Sequence, residues 1–128
     1  STTGVSHTLT TTFAGTIARL AVRLNIIHDF VGDVDVTLQK GTGTAIDVTS
    51  DNGGSSFDYL NTVLDSTCAT AITSGSAPFT GCYAPEASFT TNYASTAAAS
   101  SWTLKVADDA SLDTGTLSNW SLMMCVTP

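Results

Sequence analysis

Hydrophobic and polar residues alternate along several stretches of the chain, with the period of two residues that is typical of half-buried β-strands. The clearest stretch is residues 19–28, and its outward positions include two of the four basic residues, Arg19 and Arg23. Its inward positions are Leu20, Val22, Leu24, Ile26 and His28. After a turn at residues 29–32, Val34, Val36 and Leu38 continue the pattern. We therefore predict two core strands joined by this turn.

Two further alternating runs lie in residues 102–126, and each contains a tryptophan. The apolar positions are Trp102, Leu104 and Val106 in the first run, and Trp120, Leu122, Met124 and Val126 in the second. The segment between them is acidic. We predict a hairpin with a long acidic loop, whose two arms direct both tryptophans into one β core.

The rest of the chain has weaker patterns. Residues 1–16 form a Thr-rich lead-in that we interpret as an edge strand, and residues 44–49, 60–64 and 70–72 are candidate short strands. Residues 97–99 are a candidate helical turn. About eight short strands predict an all-β protein, a jelly-roll β-sandwich of mostly antiparallel strands that forms one domain over residues 17–128.

Composition and charge narrow the function classes. The chain is 42% hydrophobic and 12% charged, and it has no apolar run near 18 residues, which predicts a soluble globular domain without a membrane span. Its net charge of -7 makes nucleic acid and anionic membranes poor partners. An acidic, Lys-poor composition favours a secreted, extracellular module, and the absence of an initiator Met indicates a piece processed or excised from a longer protein.

The three cysteines fit neither a disulfide scaffold nor a zinc site. Cys68 and Cys82 flank a loop, and we predict a disulfide between them that stabilises the fold by about 3 kcal/mol. Cys125 is left over. We expect it to be reduced and half-buried, on the face opposite Trp120.

Four segments of the chain contain recognisable motifs. They are residues 28–34 (HDFVGDV), 61–65 (NTVLD), 78–86 (PFTGCYAPE) and 102–122, which contains WTLKVAD and DTGTLSNWSL. In this order they resemble the P domain (Homo B domain) of proprotein convertases and of related bacterial secreted proteases. One departure is Ser66, which stands where the bacterial branch has a second acid.

The resemblance implies a non-catalytic jelly roll that follows the catalytic domain of a secreted protease, commonly a subtilisin-like serine endopeptidase. Such domains pack on the catalytic domain in the same parent chain and support its folding and stability. They also tune its calcium and pH dependence. We expect the isolated domain to be a monomer.

The residues themselves argue against catalysis. The chain has neither a G-x-S-x-G elbow nor an H-E-x-x-H motif. His28 precedes Asp29, but adjacent strand residues point to opposite faces, so the two cannot act as a dyad. We expect His28 to be a buried core residue bonded to a loop backbone, and His7 to be exposed.

Clustered carboxylates make Ca²⁺ the possible cofactor, because calcium selects six to eight oxygen ligands. The candidate ligands are Asp33 and Asp35, which we place on one face of a strand, and Asp108, Asp109 and Asp113 in the acidic loop. Asp58 and Asp65 are weaker candidates. The alternative for the loop is that its aspartates cap backbone N–H groups.

A second function class stays open at this point, a free-standing carbohydrate- or surface-binding module. Such modules present exposed aromatic rings, and the candidates here are Tyr59, Tyr83, Phe89 and Tyr93. The alternative is that these rings cover the open edge of the sandwich or face a protease domain.

Overall fold

The computed structural model describes residues 4–108 and 115–128, and within them the chain forms eight strands and one short helix. The strands are β1 (Gly4–Thr11), β2 (Thr16–His28), β3 (Val34–Lys40), β4 (Ile46–Ser50), β5 (Tyr59–Asp65), β6 (Gly81–Tyr83), β7 (Ser100–Asp108) and β8 (Gly115–Thr127). The helix α1 is Phe89–Tyr93. None of the helical segments in these ranges is long and apolar enough to cross a bilayer.

The strands form two four-stranded sheets that pack as a sandwich. Sheet 1 has the order β1-β7-β3-β4, and sheet 2 has the order β6-β5-β2-β8. All pairs of neighbouring strands are antiparallel except β5 and β6, which are parallel. The predicted fold class, an all-β sandwich of about eight mostly antiparallel strands, is confirmed.

The alternating patterns place the core as predicted. The inward residues of β2 and β3 are buried, and Val22, Leu24, Val34 and Val36 are 0% exposed. The Thr-rich lead-in contributes β1, which pairs with β7 over eight residues at the edge of sheet 1. Burial of these apolar side chains is the main favourable term in folding.

The predicted C-terminal hairpin is wrong. β7 lies between β1 and β3 in sheet 1, whereas β8 pairs with β2 in sheet 2. The chain therefore crosses from one sheet to the other between Asp108 and Gly115. Alternation identifies the inward face of a strand, but it carries no information about the neighbouring strand. Two consecutive alternating runs therefore suggest a hairpin even when the strands belong to different sheets.

The middle of the chain also differs from the prediction. The helical turn is not at residues 97–99, where Ala97 makes an isolated bridge to Thr16, but at α1. Ser88 caps α1, because its side-chain oxygen accepts a hydrogen bond from the Thr91 backbone N–H. Residues 70–72 do not form the predicted strand, because Ala71 makes only an isolated bridge to Ala84 and Ile72 begins a 3-10 turn that ends at Ser74.

A disulfide joins Cys68 to Cys82, with 5.8 Å between the Cα atoms, and ties the loop after β5 to β6. Cys125 is a free cysteine and is exposed, so the expectation of a half-buried thiol is wrong. The reason is its position on β8, which is an edge strand. A side chain on the outer face of an edge strand has a neighbouring strand on one side only.

Candidate functional site

His28 is at the end of β2 and is 4% exposed. Its Nδ1 accepts a hydrogen bond from the Phe30 backbone N–H at 3.0 Å, and its Nε2 lies 2.7 Å from Oδ2 of Asp108. Because Nδ1 is the acceptor, the ring carries its proton on Nε2 and donates it to Asp108. The backbone N–H of His28 donates to Oδ1 of Asp58 at 2.9 Å. His28 thus joins the ends of β2 and β7 and the loop before β5.

A cavity of about 300 Å³ adjoins this histidine. Val34, Val106 and Leu117 supply apolar walls, and His28 and Asp108 supply polar atoms. Gly115 also lines it, against the imidazole ring. A Cβ at Gly115 would clash with Cδ2 of His28, which explains why the DTGTL motif has glycine at this position.

The arrangement provides no general base. One ring nitrogen of His28 is occupied by the Phe30 N–H and the other by Asp108, so neither can take a proton from a substrate without breaking a hydrogen bond. Asp29 Oδ1 is 4.0 Å from Nδ1, too far for a hydrogen bond. The His28–Asp108 pair therefore acts as a structural brace between the two sheets.

Three of the candidate calcium ligands lie in sheet 1 or in the turn before β3. Asp33 ends a 3-10 turn before β3, so the prediction that it shares a strand with Asp35 is wrong. Val34 pairs with Asp108 across the sheet, which brings Asp33, Asp35 and Asp108 to the same end of sheet 1. Asp35 follows an inward residue and therefore points outward, whereas Asp108 points inward to His28.

Asp65 is a buried carboxylate at the end of β5, with 3% exposure. Its Oδ2 accepts from Nε of Arg19 at 2.7 Å, and its Oδ1 accepts from both the backbone N–H and the hydroxyl of Thr67. Burial alone would raise the pKa of Asp65, but the hydrogen bonds from Thr67 and Arg19 together with the Arg19 charge outweigh it, and the pKa is lowered. Asp65 therefore serves an ion pair within the fold.

Within residues 4–108 and 115–128, no group of three or more His, Cys, Asp or Glu side chains could hold a metal ion. Asp109 and Asp113 lie outside the described residues. The calcium site thus stays a prediction.

The aromatic candidates for sugar stacking are mostly core residues. Tyr59 is 0%, Phe89 2% and Tyr93 5% exposed, and Tyr83 is half-buried. The Tyr59 ring stacks on the Phe79 ring, with 4.8 Å between the ring centroids. Burial is the largest cause that raises the pKa of Tyr59, to about 12. The buried rings of Tyr59, Phe89 and Tyr93 cannot stack on a sugar, so three of the four candidate rings do not support the alternative of a carbohydrate-binding module.

Sequence reasoning missed two pairs that the tertiary structure creates. His28 and Asp108 are 80 residues apart, and Arg19 and Asp65 are 46 apart. The sequence makes Asp108, at the end of the WTLKVAD motif, a candidate for calcium binding or capping, and it gives no indication of a histidine partner across the sandwich. The one signal available was that His28 and Asp108 each end an alternating strand.

A search of curated proteins found none that matches the chain. The family model described as the proprotein convertase P-domain matches residues 17–124, which span β2 to most of β8. Every one of the four sequence motifs and both His28 and Asp108 fall within that match. P domains are non-catalytic accessory domains that normally accompany a protease catalytic domain. The chain belongs to the proprotein convertase P-domain family.

Proposed function

We propose that this chain is the C-terminal accessory domain of a secreted, bacterial, subtilisin-like serine protease. It docks on the catalytic domain of the same parent chain and covers apolar surface there. Unfolding of the catalytic domain would then require undocking, so the enzyme loses activity more slowly.

The observation that carries this proposal is the family match over residues 17–124. Two features of the site support it. His28 has no ring nitrogen left to act as a base, which suits a domain that does no chemistry of its own. The His28–Asp108 hydrogen bond connects the two sheets, and the disulfide connects the loop after β5 to β6. These links suit a rigid support for another domain.

Deletion of residues 17–128 from the parent protease tests the proposal. We expect a shorter half-life of proteolytic activity at raised temperature and a lower refolding yield, with no change in the residues that are attacked in a peptide substrate. A deletion variant that keeps the half-life of the intact enzyme would contradict the proposed role.

Calcium stabilisation is a separate proposal. It is supported by the register that brings Asp33 and Asp35 to one end of sheet 1, next to Asp108, whose carboxylate points to His28. The other candidate ligands, Asp109 and Asp113, lie outside the described residues. A cation that binds only the folded form adds about 2.7 kcal/mol at a hundredfold excess over Kd. Melting the chain in calcium and then in chelator tests this, and an unchanged midpoint would remove calcium from the mechanism.

A further inference from the structure

The outer face of sheet 2 combines apolar and basic side chains. Ala21 is in its middle, paired with Met123 on β8 and with Asp65 on β5. The next pair of β2 and β5 residues on this outer face is Arg23 and Val63. Because alanine is small, its position is a depression between larger neighbours, and a groove of about 320 Å³ opens over it.

Two large hydrophobic residues on this outer face are exposed. Met123 is 42% and Ile27 is 56% exposed, and both point outward because their neighbours in β8 and β2 point into the core. The outer face of sheet 1 carries Thr37, Thr103 and Lys105 instead. Among the described strands, large exposed hydrophobic residues on an outer face therefore occur on sheet 2.

The charge of this face is opposite to that of the whole chain. Arg19 and Arg23 are two of only four basic residues in a chain of net charge -7. The acid beside them, Asp65, is buried and already bonded to Arg19. The Arg19 side chain is 55% exposed, so the donors on its terminal nitrogens can meet a carboxylate from outside.

From these features we propose that the outer face of sheet 2 is the surface that docks on the catalytic domain of the parent protease. The partner surface presents an apolar side chain that enters the groove over Ala21, flanked by carboxylates that meet Arg19 and Arg23. This inference rests on the proposed function and adds the docking face and its chemistry. An apolar centre with charged groups at its rim is the usual anatomy of a protein interface.

Cys125 is a built-in reporter of docking, because it is a free, exposed thiol that lines the groove. We expect a maleimide to label Cys125 in this chain alone, and to label it at least about tenfold more slowly in the parent protease, where the face is covered. The control is K105C in a C125A background, since Lys105 is exposed on sheet 1. Its thiol should react at the same rate in both contexts.

Charge variants of the parent protease test the energetics. Met123→Asp and Arg23→Glu each place an unmatched negative charge in the interface, so we expect the half-life of activity to fall about tenfold. Thr103→Asp and Lys105→Glu make the same charge changes on sheet 1, and should leave the half-life within about twofold. All four variants of the chain alone should keep its melting temperature within about 3 °C, which shows that they fold.

The outcomes separate this inference from the proposed function. If deletion of residues 17–128 shortens the half-life but the sheet 2 variants do not, and Cys125 labels equally fast in both contexts, this face is not the docking surface and the accessory role stands. If deletion has no effect, the stabilising role fails. Protection of Cys125 would then still support docking at this face, and rapid labelling would overturn it.

Discussion

β7 and β8 have nearly the same pattern of residues but different environments. Each contains a tryptophan that is followed by alternating apolar residues on the inward face. In β7, Trp102 and Leu104 are 0% exposed. In β8, Trp120, Leu122, Met124 and Val126 are only partly buried against the core.

The difference comes from sheet order. β7 lies inside sheet 1, with β1 on one side and β3 on the other, whereas β8 is at the edge of sheet 2. The Trp102 ring also packs edge-on against the Tyr93 ring, with 5.2 Å between the centroids, and the Lys40 Nζ lies 5.5 Å from the centroid of the Trp102 ring. Trp120 instead meets the exposed His7, whose ring centroid lies 6.1 Å away, and donates a hydrogen bond from Nε1 to Nδ1 of His7 at 3.0 Å. Equal sequence patterns thus contribute unequally to stability.

Truncation of the two tryptophans should show the largest difference. We expect Trp102→Ala to lower the free energy of unfolding by about 4 kcal/mol, because it leaves a large cavity in the core. Trp120→Ala should cost about 2 kcal/mol, since the side chain is only partly buried. Urea denaturation followed by circular dichroism measures both. Equal losses would contradict the distinction between the central and the edge strand.

The cysteines allow a second comparison, between the Cys68–Cys82 disulfide and the free, exposed Cys125. We expect the double variant Cys68→Ser and Cys82→Ser to lose about 3 kcal/mol, because the disulfide restricts a loop of 14 residues in the unfolded chain. Cys125→Ser on the outer face of β8 is the matched control and should stay within about 0.5 kcal/mol. Thermal melting with and without reductant gives the same information. A wild type that reductant does not destabilise would argue against the disulfide.

Acid should destabilise sheet 2 through Asp65, the last residue of β5. Its pKa is lowered in the folded state, so its contribution to stability is present above the unfolded value of 3.8 and is lost as the pH falls through the folded pKa. Asp65→Asn should cost about 2 kcal/mol at neutral pH and flatten the stability profile below about pH 4. Asp47→Asn, on an exposed residue of β4, is the control. An unchanged profile in D65N would show that another group governs the acid loss.

Replacement of each tryptophan by phenylalanine should have the smallest effect. Trp102→Phe removes the hydrogen bond from Nε1 to the Thr11 hydroxyl, measured at 3.0 Å, and should cost about 1 kcal/mol. Trp120→Phe removes the bond to exposed His7, where water replaces it, and should cost at most about 0.5 kcal/mol. The difference of unfolding midpoints in urea is the measurement. A greater loss at Trp120 would mean that β1 and β8 are coupled more strongly than their exposure indicates.

The candidate site could be predicted only in part. The burial of His28 and its bond to the backbone of Phe30 follow from its place at the end of an inward row. Its partner Asp108 could not be found, because no local spacing links residues on strands of opposite sheets. The sequence also makes Asp65 a candidate calcium ligand, but its carboxylate lies beside Arg19 across the β2–β5 pair of sheet 2, and no local pattern shows that these two residues, 46 apart in the chain, are neighbours.

The sequence by itself determined the fold class, the inward face of each long strand and the family, because side-chain alternation and short motifs are local properties of the chain. Only the tertiary structure decided which strands are neighbours, and hence that β7 is central and β8 is an edge. It also decided the burial of Tyr59, Phe89 and Tyr93, the pairing of His28 with Asp108, and the basic, apolar groove over Ala21. These depend on strand order and long-range register, which are set by how the whole core packs and not by any single segment.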